Sequence, residues 1–115
     1  MKFITFVTTT NPAEAGPPPP ALMQAIVALG MEAGARMLET GGMSDTATVR
    51  VRSKQLVTDG PFAESKELVG GYAIYDLPSE AEIVAWTTRF ANLHREIWPA
   101  WEGEITIQQL HQFGA

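Results

Sequence analysis

The sequence contains no cysteine, which excludes disulfides, thiol catalysis and cysteine-ligated zinc or iron–sulfur sites. Basic residues are also few: eight Lys and Arg stand against thirteen Asp and Glu, for a net charge of −5. Because nucleic acids and anionic membrane surfaces bind proteins through a basic face, we expect neither as a partner. The two histidines show no metal-binding spacing, and no cofactor-binding fingerprint occurs, so we expect neither a metal nor a cofactor.

Long apolar runs are missing as well. The longest mostly apolar stretch, 21–31, is interrupted by Gln24 and is too short to span a bilayer. The N-terminal run 3–7 ends in three threonines without a cleavage-site pattern, so it is typical of a first strand rather than of a signal peptide. The lack of cysteine agrees with a reducing compartment, and together these features predict a cytoplasmic protein.

The length and composition are those of one ordinary globular domain. The chain has 115 residues, of which 45% are hydrophobic and 18% are charged. A chain of this length is long enough for a single domain, 1–115, and too short for two. A chain of this size buries roughly two-thirds of its unfolded surface, so it forms a core without covalent staples.

Hydrophobic periodicity predicts two helices and several strands. Residues 3–7 are apolar on both faces, which is typical of a strand in the middle of a sheet. The predicted helices are 21–36 and 79–97, and Ser79 with Glu82 forms a capping box at the start of the second. The predicted strands are 3–7, 37–40, 47–52, 55–58, 68–77 and 104–110, with a hairpin turn at Ser53 and Lys54.

This order predicts an α+β fold of the ferredoxin-like βαββαβ type, with short strands inserted in the middle. Two helices on one face of an antiparallel sheet leave the other face uncovered, and a second copy packed sheet to sheet is the usual cover. We therefore expect a homodimer of the dimeric α+β barrel type. The first helix also carries a second apolar stripe, Met23, Val27 and Met31, which we expect a loop or a second subunit to cover.

The most distinctive segment is 59–67. Asp59, Gly60 and Pro61 form a turn sequence, in which Asp bonds nearby backbone N–H groups, Gly adopts an unusual φ and Pro fixes the next residue. Gly70 and Gly71 follow at the start of a strand, where glycines mark a bulge or a close approach of two backbones. A turn facing such a glycine pair would offer N–H groups to a carboxylate or a phosphate.

This segment closely resembles the signature of the YCII-related family, in which the residues of 59–62 form a DGPF motif. The resemblance extends to 48–50, 57–58, 64–67 and 70–72, and to the tail at 93–99 and 101–104, so it covers nearly the whole chain. It implies a bacterial-type protein with a ferredoxin-like α+β fold and a dimer with a cleft near the turn.

The resemblance implies no single function, because most of the family has none assigned. One relative is a dehydrochlorinase of a chlorinated aromatic diol. A His–Asp pair in the first helix of one branch has been taken to indicate an enzyme. Its positions fall here on Gln24 and Ala33, and neither side chain can act as a general acid or base.

Two residues are candidates for catalysis. Asp59 is a candidate general acid or base in a cleft, and the alternative is a turn-forming Asp whose carboxylate accepts backbone hydrogen bonds. His94 is a candidate proton shuttle near the end of the second helix. The alternative for His94 is a half-exposed residue at the helix end, paired with Glu96.

Seven residues are candidates for ligand binding. Arg50 lies on one strand face with Arg52, where it is suited to clamp a carboxylate, and the alternative is a solvated strand face. Lys66 lies in a charge run whose simplest interpretation is a solvated surface. The complete predicted set is Arg50, Gly60, Pro61, Phe62, Lys66, Gly70 and Gly71.

The residues leave three kinds of function open, of which the last is a paralogue that is kept only for its dimer scaffold. The first is a small-molecule-binding dimer, or a cofactor-independent enzyme that acts on a small polar or aromatic acid by proton transfer. The second is a regulatory or interaction module without chemistry. Relatives often occur beside genes for extracytoplasmic sigma factors, so the resemblance links this second function to sigma-factor signalling.

Overall fold

A computed structural model of the chain describes residues 1–61 and 70–114. The fold is α+β, with an antiparallel sheet and two main helices. None of the helices in these two ranges is both long and apolar enough to cross a membrane. The elements in chain order are β1 (Lys2–Thr9), α1 (Pro12–Ala15), α2 (Pro20–Ala33), a 3-10 turn (Gly34–Arg36), β2 (Met37–Met43), β3 (Thr48–Arg52), β4 (Gln55–Asp59), β5 (Gly70–Asp76), α3 (Glu80–Ile97) and β6 (Gly103–Leu110).

The main sheet has four strands in the order β2-β5-β1-β6, and all neighbours are antiparallel. The central position of β1 confirms the prediction made from its apolar residues. This arrangement is consistent with an α+β fold of the ferredoxin-like type. The strand β2 is longer than predicted, because Gly41 and Gly42 continue the ladder opposite Tyr72 and Gly71 rather than ending it.

The helices begin and end close to the predicted positions. Pro20 opens α2, where a missing N–H costs nothing, and Gly34 at φ +57° ends it. The hydroxyl of Ser79 accepts a hydrogen bond from the Glu82 N–H at 3.2 Å and caps α3. The second hydrogen bond of a capping box, from the Ser79 N–H to the Glu82 side chain, does not form within the described residues. A short helix, α1, lies between β1 and α2, where neither a helix nor a strand is predicted.

The core lies between the helices and one face of the sheet. Phe3 and Tyr75 are opposite each other on the two central strands, and Ile83 of α3 packs with them. Trp86 joins this core to the surface: its ring stacks on Tyr75 at 6.4 Å between centroids, and the Arg89 guanidinium lies 4.8 Å from its centroid. Arg89 in turn pairs with Glu32 of α2, so one cluster connects both helices to the sheet.

No helix in residues 1–61 and 70–114 packs on the other face of the sheet. At its centre are Ile4, Phe6, Tyr72 and Ile74, which face each other across β1 and β5. The Tyr72 hydroxyl donates a hydrogen bond to the Glu39 carboxylate at 2.8 Å, and this bond raises the pKa of Tyr72. We call this surface the open face.

The strands β3 and β4 form a separate two-stranded hairpin, which we call the arm. Its turn is the predicted one, because Ser53 and Lys54 both have positive φ, 48° and 65°. The radius of gyration of the chain is 16.4 Å, whereas a compact chain of this length has about 13 Å. The arm therefore projects from the body of the domain.

Candidate functional site

The predicted site residues gather toward one end of the sheet. At this end β1 finishes opposite the start of β6, with Thr9 facing Gly103. Here β2 also finishes opposite the start of β5, with Met43 facing Gly70. The arm leaves the sheet after β2, so the arm, the turn at 59–61 and the glycine pair all connect to this end.

Arg50 and Asp59 form an ion pair on the polar face of the arm. The register places Arg50 opposite Val57 and Asp59 opposite Thr48, so the two charged residues are diagonal neighbours on one face. Both side chains are about half exposed. The first backbone N–H groups after Pro61 lie outside the described residues, so the turn-forming alternative for this side chain stays a prediction.

The turn that follows Asp59 requires a glycine. Gly60 has φ +114°, and a Cβ at this position would lie 2.8 Å from the Ala47 Cα and 2.9 Å from the Thr46 carbonyl oxygen. The predicted unusual φ is therefore confirmed, and the contact with the chain before β3 is a second reason for glycine. Pro61 is exposed next to it.

Gly70 and Gly71 continue a regular ladder with β2, so the first of the two predicted explanations, a bulge, is not seen on that side of β5. The pairing of β5 with β1 ends at Tyr72. The second explanation, a close approach of two backbones, is confirmed for Gly70. A Cβ at Gly70 would lie 2.3 Å from the Val7 carbonyl oxygen of β1. At Gly71 the nearest such contact is 3.5 Å, which is ordinary. The bulge of this sheet lies instead in β2, between Met37 and Glu39.

Two predicted ligand-binding residues, Phe62 and Lys66, lie outside the described residues. The two positions of the His–Asp pair are both on α2, where Gln24 is exposed and Ala33 is buried in the core. No cluster of three or more His, Asp and Glu side chains is placed to hold a metal ion in the described ranges.

His94 is buried, with 4% of its surface exposed, and this corrects the expectation of a half-exposed helix end paired with Glu96. Its ring is in contact with Phe90 and Trp101, at centroid distances of 4.7 and 4.6 Å. Trp98 lies on its other side at 6.4 Å. We call these four rings the aromatic cluster.

The chemistry of His94 follows from this burial. Its Nδ1 lies 3.0 Å from the Phe90 carbonyl oxygen, so Nδ1 carries the proton and donates it there. Burial lowers the pKa of His94, and the bond to the carbonyl offsets only part of this effect. No described hydrogen bond or ion pair joins His94 to Asp59.

The loop that follows α3 covers His94 through the ring of Trp101. Asn11 holds this loop: its side chain donates to the Ala100 carbonyl and accepts from the Glu102 N–H, both at 2.8 Å. The Trp101 indole N–H donates to the Thr9 hydroxyl at 2.9 Å. A surface cavity of about 410 Å³ lies beside the loop, lined by Ala91, Arg95, Pro99, Trp101, Glu102 and Gly103.

Comparisons with known proteins agree with the resemblance seen in the sequence. A family model described as the YCII-related domain matches residues 4–99. Among solved structures, the de novo designed protein Foldit4 is similar at a TM-score of 0.51 and 10% identity, over 96% of this chain and 98% of that chain. At this identity the likeness shows the fold alone. No curated protein matches the chain. Since the family model spans most of its length, the chain belongs to the YCII-related domain family.

Proposed function

We propose that the protein is a homodimer that binds a small carboxylic acid at Arg50, beside the turn at 59–61. The observation that carries the proposal is the Arg50–Asp59 pair, an exposed cation whose only described partner is one carboxylate on the neighbouring strand. A guanidinium presents five N–H donors in a fork that matches a carboxylate. A ligand carboxylate replaces Asp59 on Arg50 at little cost, because both side chains are already half in solvent.

The surroundings of Arg50 favour an aromatic acid over a purely polar one. Val57 lies directly opposite Arg50 on the same face of the arm and is 42% exposed. An aromatic ring whose carboxylate is held by Arg50 covers this apolar side chain and removes it from water.

Any chemistry in this site is proton transfer by Asp59. Once a ligand carboxylate takes the place of Asp59 on Arg50, the Asp59 carboxylate is free within reach of the bound acid and acts as the general base. No cofactor takes part in this step. His94 has a structural role in this proposal, since its ring is buried within the aromatic cluster.

The dimer completes this proposal. Each copy covers the open face of the other, which places Ile4, Phe6 and Ile74 at the interface. Antiparallel sheets with helices on one face bury the second face in this way, and two-fold dimers are the commonest assembly.

We expect Arg50→Gln to weaken the binding of benzoate by about tenfold or more, because a charge-assisted hydrogen bond contributes roughly 1.5–3 kcal/mol. Isothermal titration calorimetry measures this loss. Arg52→Gln is the matched control, since Arg52 shares the face but has no described ion pair, and it should change binding less than threefold. Equal losses in both variants, or unchanged binding in Arg50→Gln, would disprove the site. Asp59→Asn should tighten binding, because the competing carboxylate is gone.

A second candidate function, an interaction module, is favoured by the outer stripe of α2. Met23, Val27 and Met31 are all more than half exposed, and Met31 is 78% exposed. Adjacent exposed apolar side chains on one helix stripe mark a surface for a partner. For this candidate we expect an extracytoplasmic sigma factor to be co-purified with the wild-type protein and lost with Met23→Ser/Met31→Ser. Recovery of the sigma factor with both proteins, or with neither, would exclude this role for the stripe.

A further inference from the structure

The arm has one apolar face that nothing in the described chain covers. The register places Val49 opposite Thr58 and Val51 opposite Leu56, so these four residues share a face. Val51 is 74% exposed and Leu56 is 72% exposed. The ion pair of Arg50 and Asp59 lies on the opposite face, so the arm is amphipathic.

An arm of this kind is not expected to be stable alone. It has two strands of five residues, and it joins no other strand in the described ranges. An isolated two-stranded hairpin is marginal in water, and stability requires a third strand or a packed apolar face. The apolar face of the arm therefore needs a surface to pack against.

We propose that the arm packs on the open face of a second copy of this chain, so that each copy donates one arm and receives one. This inference rests on the dimer of the proposed function and names the part of each copy that makes the contact. The apolar face of the arm, with Val51 and Leu56, lies on the partner's open face, around Ile4 and Phe6. The polar face, with Arg50 and Asp59, stays accessible to a ligand.

Charge favours a second copy as the occupant. The arm contains Arg50, Arg52 and Lys54 but only one acidic residue, Asp59, so its net charge is +2. The whole chain carries −5, which leaves −7 on the rest. Three acidic residues, Glu39, Asp76 and Glu104, lie on the same side of their strands as the apolar centre of the open face, against one basic side chain, Lys2. Asp76 also pairs with the N-terminal ammonium, so the acidic rim consists mainly of Glu39 and Glu104. A basic apolar arm and an apolar surface with an acidic rim are complementary.

The size of the contact also fits. The arm alone is smaller than the roughly 20–30 residues that each partner contributes to a stable interface. The four strands of the sheet have seven or eight residues each and alternate between faces, so they add about 15 residues of the open face. One arm and one open face per copy therefore reach the required range.

The absence of cysteine gives a direct test. Ser53→Cys places one thiol at the tip of the arm, and Gln108→Cys places one on the open face, where Gln108 faces Ile4. The two single variants are mixed, one of them labelled with nitrogen-15, and oxidised. Mass spectrometry then separates disulfides between unlike copies from those between like copies. The matched control replaces Gln108→Cys by Met23→Cys, an exposed position on α2.

We expect the pair Ser53→Cys with Gln108→Cys to form about tenfold more mixed disulfide than the control pair, because docking raises the local concentration of the two thiols. We also expect Val51→Ser/Leu56→Ser to sediment as a monomer, and Met23→Ser/Met31→Ser to remain a dimer. Equal cross-linking in both pairs, or a dimer that survives Val51→Ser/Leu56→Ser, would overturn the arm contact and leave the dimer standing. A wild-type protein that sediments as a monomer at every concentration would overturn the dimer and the arm contact together, whereas the Arg50 titration tests the ligand site separately.

Discussion

Gly70→Ala should destabilise the protein by about 3 kcal/mol, the upper part of the range for added atoms in a close-packed site. The new Cβ would lie 2.3 Å from the Val7 carbonyl oxygen, and both positions belong to neighbouring central strands that cannot separate without losing their ladder. Urea denaturation followed by far-UV circular dichroism measures the change, and we expect the midpoint to fall while the slope is retained.

The control for this substitution is the next residue. Gly71→Ala adds the same group to the same strand, but its nearest contact, the Gly41 carbonyl oxygen, is at 3.5 Å, so it should cost less than about 1 kcal/mol. If both variants unfold at the same urea concentration, the conclusion that β5 lies too close to β1 at Gly70 to accept a side chain is wrong. This pair of variants also separates backbone packing from ligand binding, because neither changes a charge.

Trp101→Ala should destabilise the protein by about 3 kcal/mol, since truncation of a large packed aromatic ring leaves a cavity. The ring packs on His94 and on Gly103, and its N–H bonds the Thr9 hydroxyl. Trp101→Phe keeps most of the packing and removes the hydrogen bond, so it should cost about 1 kcal/mol. Equal losses for the two variants would show that the ring itself contributes little.

Trp101→Ala should also change the pKa of His94. Trp101→Ala opens the cover over the ring, so we expect the pKa of His94 to rise toward its ordinary value. Proton NMR of the His94 imidazole follows this change. Because the folded pKa of His94 is lowered, the unfolded chain takes up this proton first as the pH falls below about 6.5, and wild-type stability decreases there. Trp101→Ala should reduce the loss of folding stability that His94 causes at low pH.

The fold could be predicted from local patterns because its strands and helices have clear periodicity. The prediction was weakest for strand lengths that depend on pairing with a neighbouring strand. Gly41 and Gly42 are poor strand residues, yet the ladder with β5 includes both, and the Tyr72 ring lies over Gly41. A single sequence does not show which glycines have a partner strand beside them.

The candidate site was predictable only in part, for a similar reason. The turn at Asp59 and Gly60 followed from local chemistry, but the bond between Asp59 and Arg50 depends on the register of the arm. The burial of His94 depends on Asn11, which is 89 residues from Ala100 in the chain and closes the loop over the ring. Such long-range hydrogen bonds leave no periodic signal in the sequence.

The two strands of the arm have a further consequence for how the protein behaves in concentrated solution. A two-stranded ribbon has two free edges, and each offers a row of unpaired N–H and C=O groups to any other strand. In the arm, Arg50 and Arg52 alternate with apolar residues along one edge, and Lys54 lies at the turn. Charged side chains on an edge discourage further strands from adding, because like charges would be stacked side by side. The basic residues of the arm therefore disfavour the addition of further strands, and replacing all three with neutral residues should make the protein aggregate.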